Sequence, residues 1–233
     1  VLDEDKECRK KSIDHLMKVI QASALLKINL VTTFIGRNKN LNITDNLELA
    51  GNVWKPILEY AESLNVKIAI ENCPMLFTED EWPGGKNIAV SPAIWRELFK
   101  RLPSEYLGLN FDPSHFIWQE MDYIRPLYEF KDKIFHVHYK DIRVDKEARN
   151  EVGVLATPLS YMVPCIPGHG DVNWARYISA LLEIGYQGAA CIEVEDKSFE
   201  DNNENIENSL KISRQYLKQF IHFPEKGRQY AKD

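Results

Sequence analysis

Leu107-Gly108-Leu109-Asn110-Phe111-Asp112-Pro113-Ser114-His115 decides how this chain is read. A run short enough for a strand ends in a carboxylate, a proline and a histidine. The arrangement recurs along the sequence. Val66-Lys67-Ile68-Ala69-Ile70 runs into Glu71-Asn72, Ile134-Phe135-His136-Val137 into His138-Tyr139-Lys140-Asp141, and Ala189-Ala190-Cys191-Ile192 into Glu193-Val194-Glu195. With a further apolar run near the start, strands are expected at residues 28–34, 66–70, 107–111, 134–138 and 189–194. These runs are nearly continuously apolar, as parallel strands covered on both faces tend to be. Cys191, inside the last run, is expected to be buried.

Helical patterns fill the intervals. Residues 45–64 place Leu47, Leu49, Val53, Trp54, Ile57, Leu58 and Ala61 close to the helical period, with Pro56 expected to kink or break the helix. Ser91-Pro92 reads as an N-cap followed by proline at the first helical position, opening a helix over 93–102. Asn173 can cap a helix over 174–184 that stops at Gly185. Further helices are expected over 5–27 and 206–220. Alternation of this kind implies a parallel sheet with helices outside, either a doubly wound open sheet or a barrel. No GxGxxG or GxxxxGK[ST] follows a strand, which counts against the nucleotide-binding open sheets. Residues 141–173 are long for a connection between strand and helix, and such loops are usually functional or disordered.

The bulk composition excludes several classes. The 233 residues carry a net charge of −6 with Lys and Arg scattered, so a duplex-binding stripe is absent. No run approaches 18 apolar residues, so no membrane helix is expected. Cys8, Cys73, Cys165 and Cys191 form no CxxC, and free thiols in a cytoplasmic protein are expected.

Four consecutive strands thus deliver Glu71, Asp112, His138 and Glu193 at their C-terminal ends, where parallel α/β architectures build their active sites. Side chains alternate along a strand, so all four can face inward. Three converging carboxylates repel one another unless a cation lies between them. Three oxygens and one imidazole nitrogen suit Mn2+, Mg2+ or Co2+, with Zn2+ kept as an alternative. The competing reading is that these charges merely hydrate the mouth of the sheet.

Taken together, the motifs Ile70-Glu71-Asn72-Cys73-Pro74-Met75, Asn110-Phe111-Asp112-Pro113-Ser114-His115, His136-Val137-His138-Tyr139-Lys140-Asp141, Pro167-Gly168-His169-Gly170-Asp171-Val172-Asn173-Trp174 and Ile192-Glu193-Val194-Glu195-Asp196 resemble the xylose-isomerase-like TIM-barrel superfamily. That superfamily includes sugar isomerases, ketose 3-epimerases, inosose dehydratase and type IV apurinic endonucleases. The bacterial sugar phosphate isomerase/epimerase group is the most similar. The resemblance covers essentially the whole chain and implies one domain, 1–233, of (β/α)8 type. The strands match the fourth to eighth of the family barrel. Three β/α units, about 80 residues of a barrel of about 250, are therefore expected to be missing. An open sheet with two exposed edges, able to associate into a homo-oligomer, is expected in their place.

The resemblance also implies one metal held by Glu71, Asp112, His138 and Glu193. His136, two residues before His138, is the alternative for the imidazole position. The implied reaction is isomerisation or epimerisation of a sugar, sugar phosphate or keto-sugar. Glu71 and Glu193 would move the proton beside a carbonyl, through an enediolate steadied by the metal. His115, Lys140 and His136 are candidate substrate contacts. A lyase or dehydratase acting on an inosose-like or keto-sugar substrate, and a non-catalytic sugar-binding relative, are the alternatives. The endonuclease reading is disfavoured, because Asp141-Ile142-Arg143-Val144-Asp145 lacks the histidine those relatives use. Trp82-Pro83-Gly84-Gly85-Lys86 reads as a lid, and the Gly168-x-Gly170 loop as either turn chemistry or a backbone cradle for phosphate. Trp118 is read as packing helix against sheet, with stacking on a sugar as the alternative.

Overall fold

The computed structural model describes residues 1–76 and 84–221. Five parallel strands form one sheet: β1 (Leu30–Thr33), β2 (Lys67–Glu71), β3 (Leu107–Phe111), β4 (Ile134–Tyr139) and β7 (Ala189–Ile192), in the order β1-β2-β3-β4-β7. Among the described residues β1 and β7 pair with no further strand, so the sheet is a half-barrel, as expected of an incomplete (β/α)8 fold.

The helices follow the expected intervals: α1 (Lys6–Leu25), α2 (Ile43–Ser63), α3 (Pro92–Arg101), α7 (Trp174–Glu183) and α8 (Asn203–Leu217). Between β3 and β4 lie two short ones, α4 (Ser114–Ile117) and α5 (Arg125–Glu129). The Asn173 side chain accepts from the backbone N–H of Arg176, as its N-cap reading requires. Gly185 follows at φ 69°, in the left-handed region that ends helices. No helix among the described residues is long and apolar enough to cross a membrane.

Four expectations need correcting. Of the kink or break expected at Pro56, the break does not occur, and helix α2 runs on through it. Pro56 and Asn52, whose carbonyl loses its partner, are both exposed, so water can replace the lost bond while Trp54, Ile57, Leu58 and Ala61 hold the buried face. Cys191 is exposed, as are Ala189 and Ala190, because β7 is an edge strand and nothing among the described residues covers its open side. The 141–173 connection is not a plain loop. It forms an antiparallel ribbon, β5 (Asp141–Val144) with β6 (Met162–Cys165), around α6 (Lys146–Val152). Tyr161, Met162 and Ile142 of this excursion bury Trp118, so the tryptophan packs against the ribbon rather than between helix and sheet as expected. Residues 77–83 lie outside the described residues, and with them Trp82 and Pro83 of the expected lid.

Packing explains why the strand ends face inward. Phe111 lies on the helix side of β3, stacked on Phe116 at 5.1 Å and against Trp95 and Tyr177 at 6.0 and 6.1 Å. Tyr139 packs on the same side against Trp174 at 5.6 Å and Tyr177 at 6.3 Å. Burying each such ring stabilises the fold by roughly 1.5–3 kcal/mol. Alternation then turns Asn110, Asp112, His136, His138 and Lys140 to the opposite, inner side.

Candidate metal centre

Each candidate side chain is set by its own strand end. Asn72 ties two of them together: its Oδ1 accepts from the N–H of Asp112 (2.8 Å) and its Nδ2 donates to the Asp112 carbonyl (2.9 Å). Asn87 holds the Glu71 carbonyl (2.9 Å) and the Cys73 carbonyl (2.7 Å). Asp112 Oδ1 accepts from Ser114 N at 2.8 Å, which leaves Oδ2 aimed into the sheet mouth. Asp141, buried, accepts from Gly168 N, Val172 N and Trp174 Nε1, and so fastens the 166–174 turn behind the site. A Cβ on Gly170 would lie 2.3 Å from Asp141 Oδ1, so only glycine fits there. The Gly168 N–H thus goes to Asp141 and the His169 N–H to the Ile166 carbonyl, which favours turn chemistry over a phosphate cradle.

Glu71, Asp112, His138 and Glu193 converge, each offering one ligand atom within 4.8 Å of the others. His138 Nδ1 is 2.8 Å from Glu193 Oε2, 3.7 Å from Asp112 Oδ2 and 3.9 Å from Glu71 Oε1. His136 does not enter this group. Its Nδ1 is 2.7 Å from Asn110 Oδ1, and burial, followed by the charge of His138, lowers its pKa to about 4. Of the two imidazoles left open by sequence, the geometry therefore puts His138 among the carboxylates.

Lys140 and His115 complete the cluster. The Lys140 ammonium, almost fully buried, lies 3.2 Å from Asp112 Oδ2, 3.2 Å from Glu193 Oε2 and 3.3 Å from Glu195 Oε2. His115 Nε2 is 3.4 Å from Asp112 Oδ2, 3.6 Å from Glu71 Oε1 and 3.3 Å from Lys140 Nζ. Glu71, Cys73 and His115 form a second, overlapping group whose ligand atoms also lie within 4.8 Å of one another. Sequence reasoning assigned no role to Asn110, Cys73 or Glu195. For Asn110 the two-residue strand period was the available signal, since it lies on β3 two positions before Asp112, whereas Cys73 and Glu195 lie past their strand ends, where that period gives none.

The charges are strongly coupled. Burial alone would raise Asp112, but Lys140, His115 and His138 outweigh it and hold the carboxyl well below the usual range. Burial would lower His138, yet Asp112 and Glu193 raise it to about 10. Burial and Lys140 would lower His115, and Asp112 and Cys73 overcome them and raise it to about 10. Burial disfavours the charge on Lys140, and Asp112, Glu193 and Glu195 reverse this and push its pKa well up.

Three buried atoms at the centre of the group, Asp112 Oδ2, His138 Nδ1 and Glu193 Oε2, lack a well-aligned hydrogen-bond partner despite their short separations. Orphaned acceptors that share one small space with an imidazole nitrogen fit a cation. The donor set of three oxygens and one nitrogen fits a divalent metal. A proton must leave His138 for Nδ1 to become a ligand. That proton is held up to about 10, so cation affinity is expected to rise with pH, by about tenfold per unit below that value for this one proton. Calorimetric titration with Mg2+ or Zn2+ at pH 6 and pH 8 checks this. Equal affinity at both would mean that His138 is not displaced from its proton.

Residues 1–218 match the sequence profile described as the xylose isomerase-like TIM barrel. The chain belongs to this family. It is 30% identical over 180 residues to the uncharacterized protein YfiH of Bacillus subtilis, covering 72% of this chain and 51% of that one. It is 27% identical over 117 residues to an inosose dehydratase of Lactiplantibacillus plantarum, covering 49% and 38%. Among solved structures, IOLI protein with a binding zinc atom superposes with a TM-score of 0.70 at 18% identity, covering 95% of this chain and 76% of that one. The chain spans about half the length, or less, of these two curated relatives.

Proposed function

We propose that this chain carries the metal and proton-transfer site of a sugar isomerase or epimerase, with Glu71, Asp112, His138 and Glu193 as the metal-holding residues. The observation that carries this reading is the convergence of three carboxylates and one imidazole within 4.8 Å on the strand ends. IolI, which has the same fold, is described with a bound zinc atom, and Mn2+, Mg2+, Co2+ and Zn2+ all suit the donor set. A divalent cation bound there would supply Lewis-acid polarisation of a substrate carbonyl.

The protein's own residues would do the rest. Glu71 and Glu193 each present a carboxylate at the mouth, one to take the proton beside the carbonyl and the other to return it. Lys140 and His115 would hold substrate oxygens, since both are cationic donors facing the same space. His136, on the same inner side, is a further candidate for a substrate hydroxyl.

A second reading, dehydration of a keto-sugar, is favoured by one feature. The buried Lys140 ammonium could protonate a departing hydroxyl after the same C–H proton is removed. The inosose dehydratase similarity agrees with that chemistry. Both readings require that a C–H proton be exchanged.

The test is incubation of the metal-loaded protein with a panel of ketoses and inososes in D2O, followed by NMR and mass analysis. Deuterium beside the carbonyl with an epimeric product supports the first reading, and loss of water the second. Cation binding with no exchange on any substrate would leave a sugar-binding relative without chemistry.

A further inference from the structure

Asn110 occupies an unusual place in this site. It is fully buried on β3, two residues before Asp112, and its carboxamide spans the two histidines of β4. Nδ2 lies 3.0 Å from His138 Nε2, and Oδ1 lies 2.7 Å from His136 Nδ1. A carboxamide has one donating and one accepting end. A half-turn about its Cβ–Cγ bond exchanges them, but the two ends can never be alike. Whichever end meets His138, the other must meet His136.

This dipole constrains the rings. His138 turns Nδ1 toward Glu71, Asp112 and Glu193 and Nε2 toward Asn110. For Nδ1 to offer its lone pair to a cation, the ring's hydrogen must sit on Nε2, and that buried N–H then needs an acceptor. In the structure it is the donating Nδ2 that faces His138 Nε2, so Asn110 Oδ1 supplies that acceptor only after the half-turn of its carboxamide. The Nδ2 end is then left facing His136, whose Nδ1 must accept and whose own hydrogen must sit on Nε2.

We infer that Asn110 is the positioning residue of the metal centre: with cation bound its carboxamide turns Oδ1 to His138, which commits His138 Nδ1 to the cation and sets His136 to the matching Nε2–H tautomer. The inference rests on the metal-centre reading. It adds that the state of a ring outside the ligand group is tied to that of the ligand through one amide. It also accounts for two histidines at alternate positions of one strand, of which one joins the carboxylates. His136 is thereby left with its Nε2–H as a donor of fixed direction.

The test uses zinc as the probe, with 15N-histidine labelling and long-range 1H–15N correlation to read tautomers, alongside zinc titration and thermal melts. In the zinc-loaded wild type, both His136 and His138 are expected to carry hydrogen on Nε2. Asn110→Asp offers acceptors at both ends. It should keep zinc affinity within about tenfold and move the His136 hydrogen to Nδ1. Asn110→Leu removes the acceptor and should weaken zinc binding about 10–100-fold, the usual loss when a ligand's outer partner is removed. Wild-type zinc protein with the His136 hydrogen on Nδ1 overturns the inference while leaving the metal centre standing. So does a folded Asn110→Leu variant that binds zinc like wild type. If Asn110→Leu does not fold, the tautomer shift in Asn110→Asp decides alone. Zinc failing to bind the wild type overturns both readings.

Discussion

Glu193→Gln is expected to slow deuterium exchange beside the substrate carbonyl by about 10²–10⁴-fold, the span typical of losing a positioned general base. The side chain keeps its length and one oxygen, so the shape of the site changes little. What it loses is the basic carboxylate. Glu193 is suited to that role by its setting. It is partly exposed at the mouth, with Oε2 2.8 Å from His138 Nδ1 and 3.2 Å from Lys140 Nζ. Burial would raise its pKa, but His138 and Lys140 outweigh burial and keep it below the usual carboxylate value, so it stands ionised at neutral pH. Glu193 is also a candidate ligand. The comparison must therefore be made at saturating cation, and at several concentrations, so that weakened binding is not mistaken for lost chemistry. Wild-type exchange rates in a loaded Glu193→Gln protein would remove Glu193 from the proton-transfer pair.

The second large effect is expected at Asp112. Asp112→Asn should abolish tight divalent-cation binding, because the central carboxylate of the group becomes neutral and half of it becomes a donor. It should also destabilise the metal-free protein by about 3–5 kcal/mol, the range for removing one partner of a buried ion pair. Asp112 is completely buried, and Lys140 and His115 both lean on its Oδ2. Lys140 keeps Glu193 and Glu195 as partners, so the lower end of that range is the better expectation. The pH dependence has a definite sign. The Asp112 pKa is depressed on folding, so its contribution is fully present above the unfolded value near 3.9 and is lost progressively as pH falls from there through the much lower folded value. Urea melts of wild type and Asp112→Asn should therefore differ more at pH 7 than at pH 3, by about 1 kcal/mol, with the rest of the difference persisting at pH 3. Indistinguishable melts at pH 7 would show that the pairing adds nothing net.

Much of this was legible along the chain. The short apolar runs ended in Glu71, Asp112, His138 and Glu193, and the caps at Asn173 and Gly185 worked as local chemistry predicts, because capping and alternation depend on neighbours a few residues away. Pro56 went the other way: a local rule against proline gave way to the buried face of α2. The β5–β6 ribbon was invisible as periodicity. Its strands are four residues each and are set by pairing between residues some twenty apart.

By itself, then, the sequence determined the order of strands and helices, the face that each strand end presents, and the set of acidic and imidazole groups brought to the sheet mouth. These follow from periodicities that need no partner. Only the tertiary structure decided that His138 rather than His136 joins the carboxylates, that Lys140 is buried among them, and that Asn110 bridges the two rings. Those outcomes depend on the register of β3 against β4, with its shift between Leu109 and Asn110. Register is a relation between two strands, and no single strand's residues contain it.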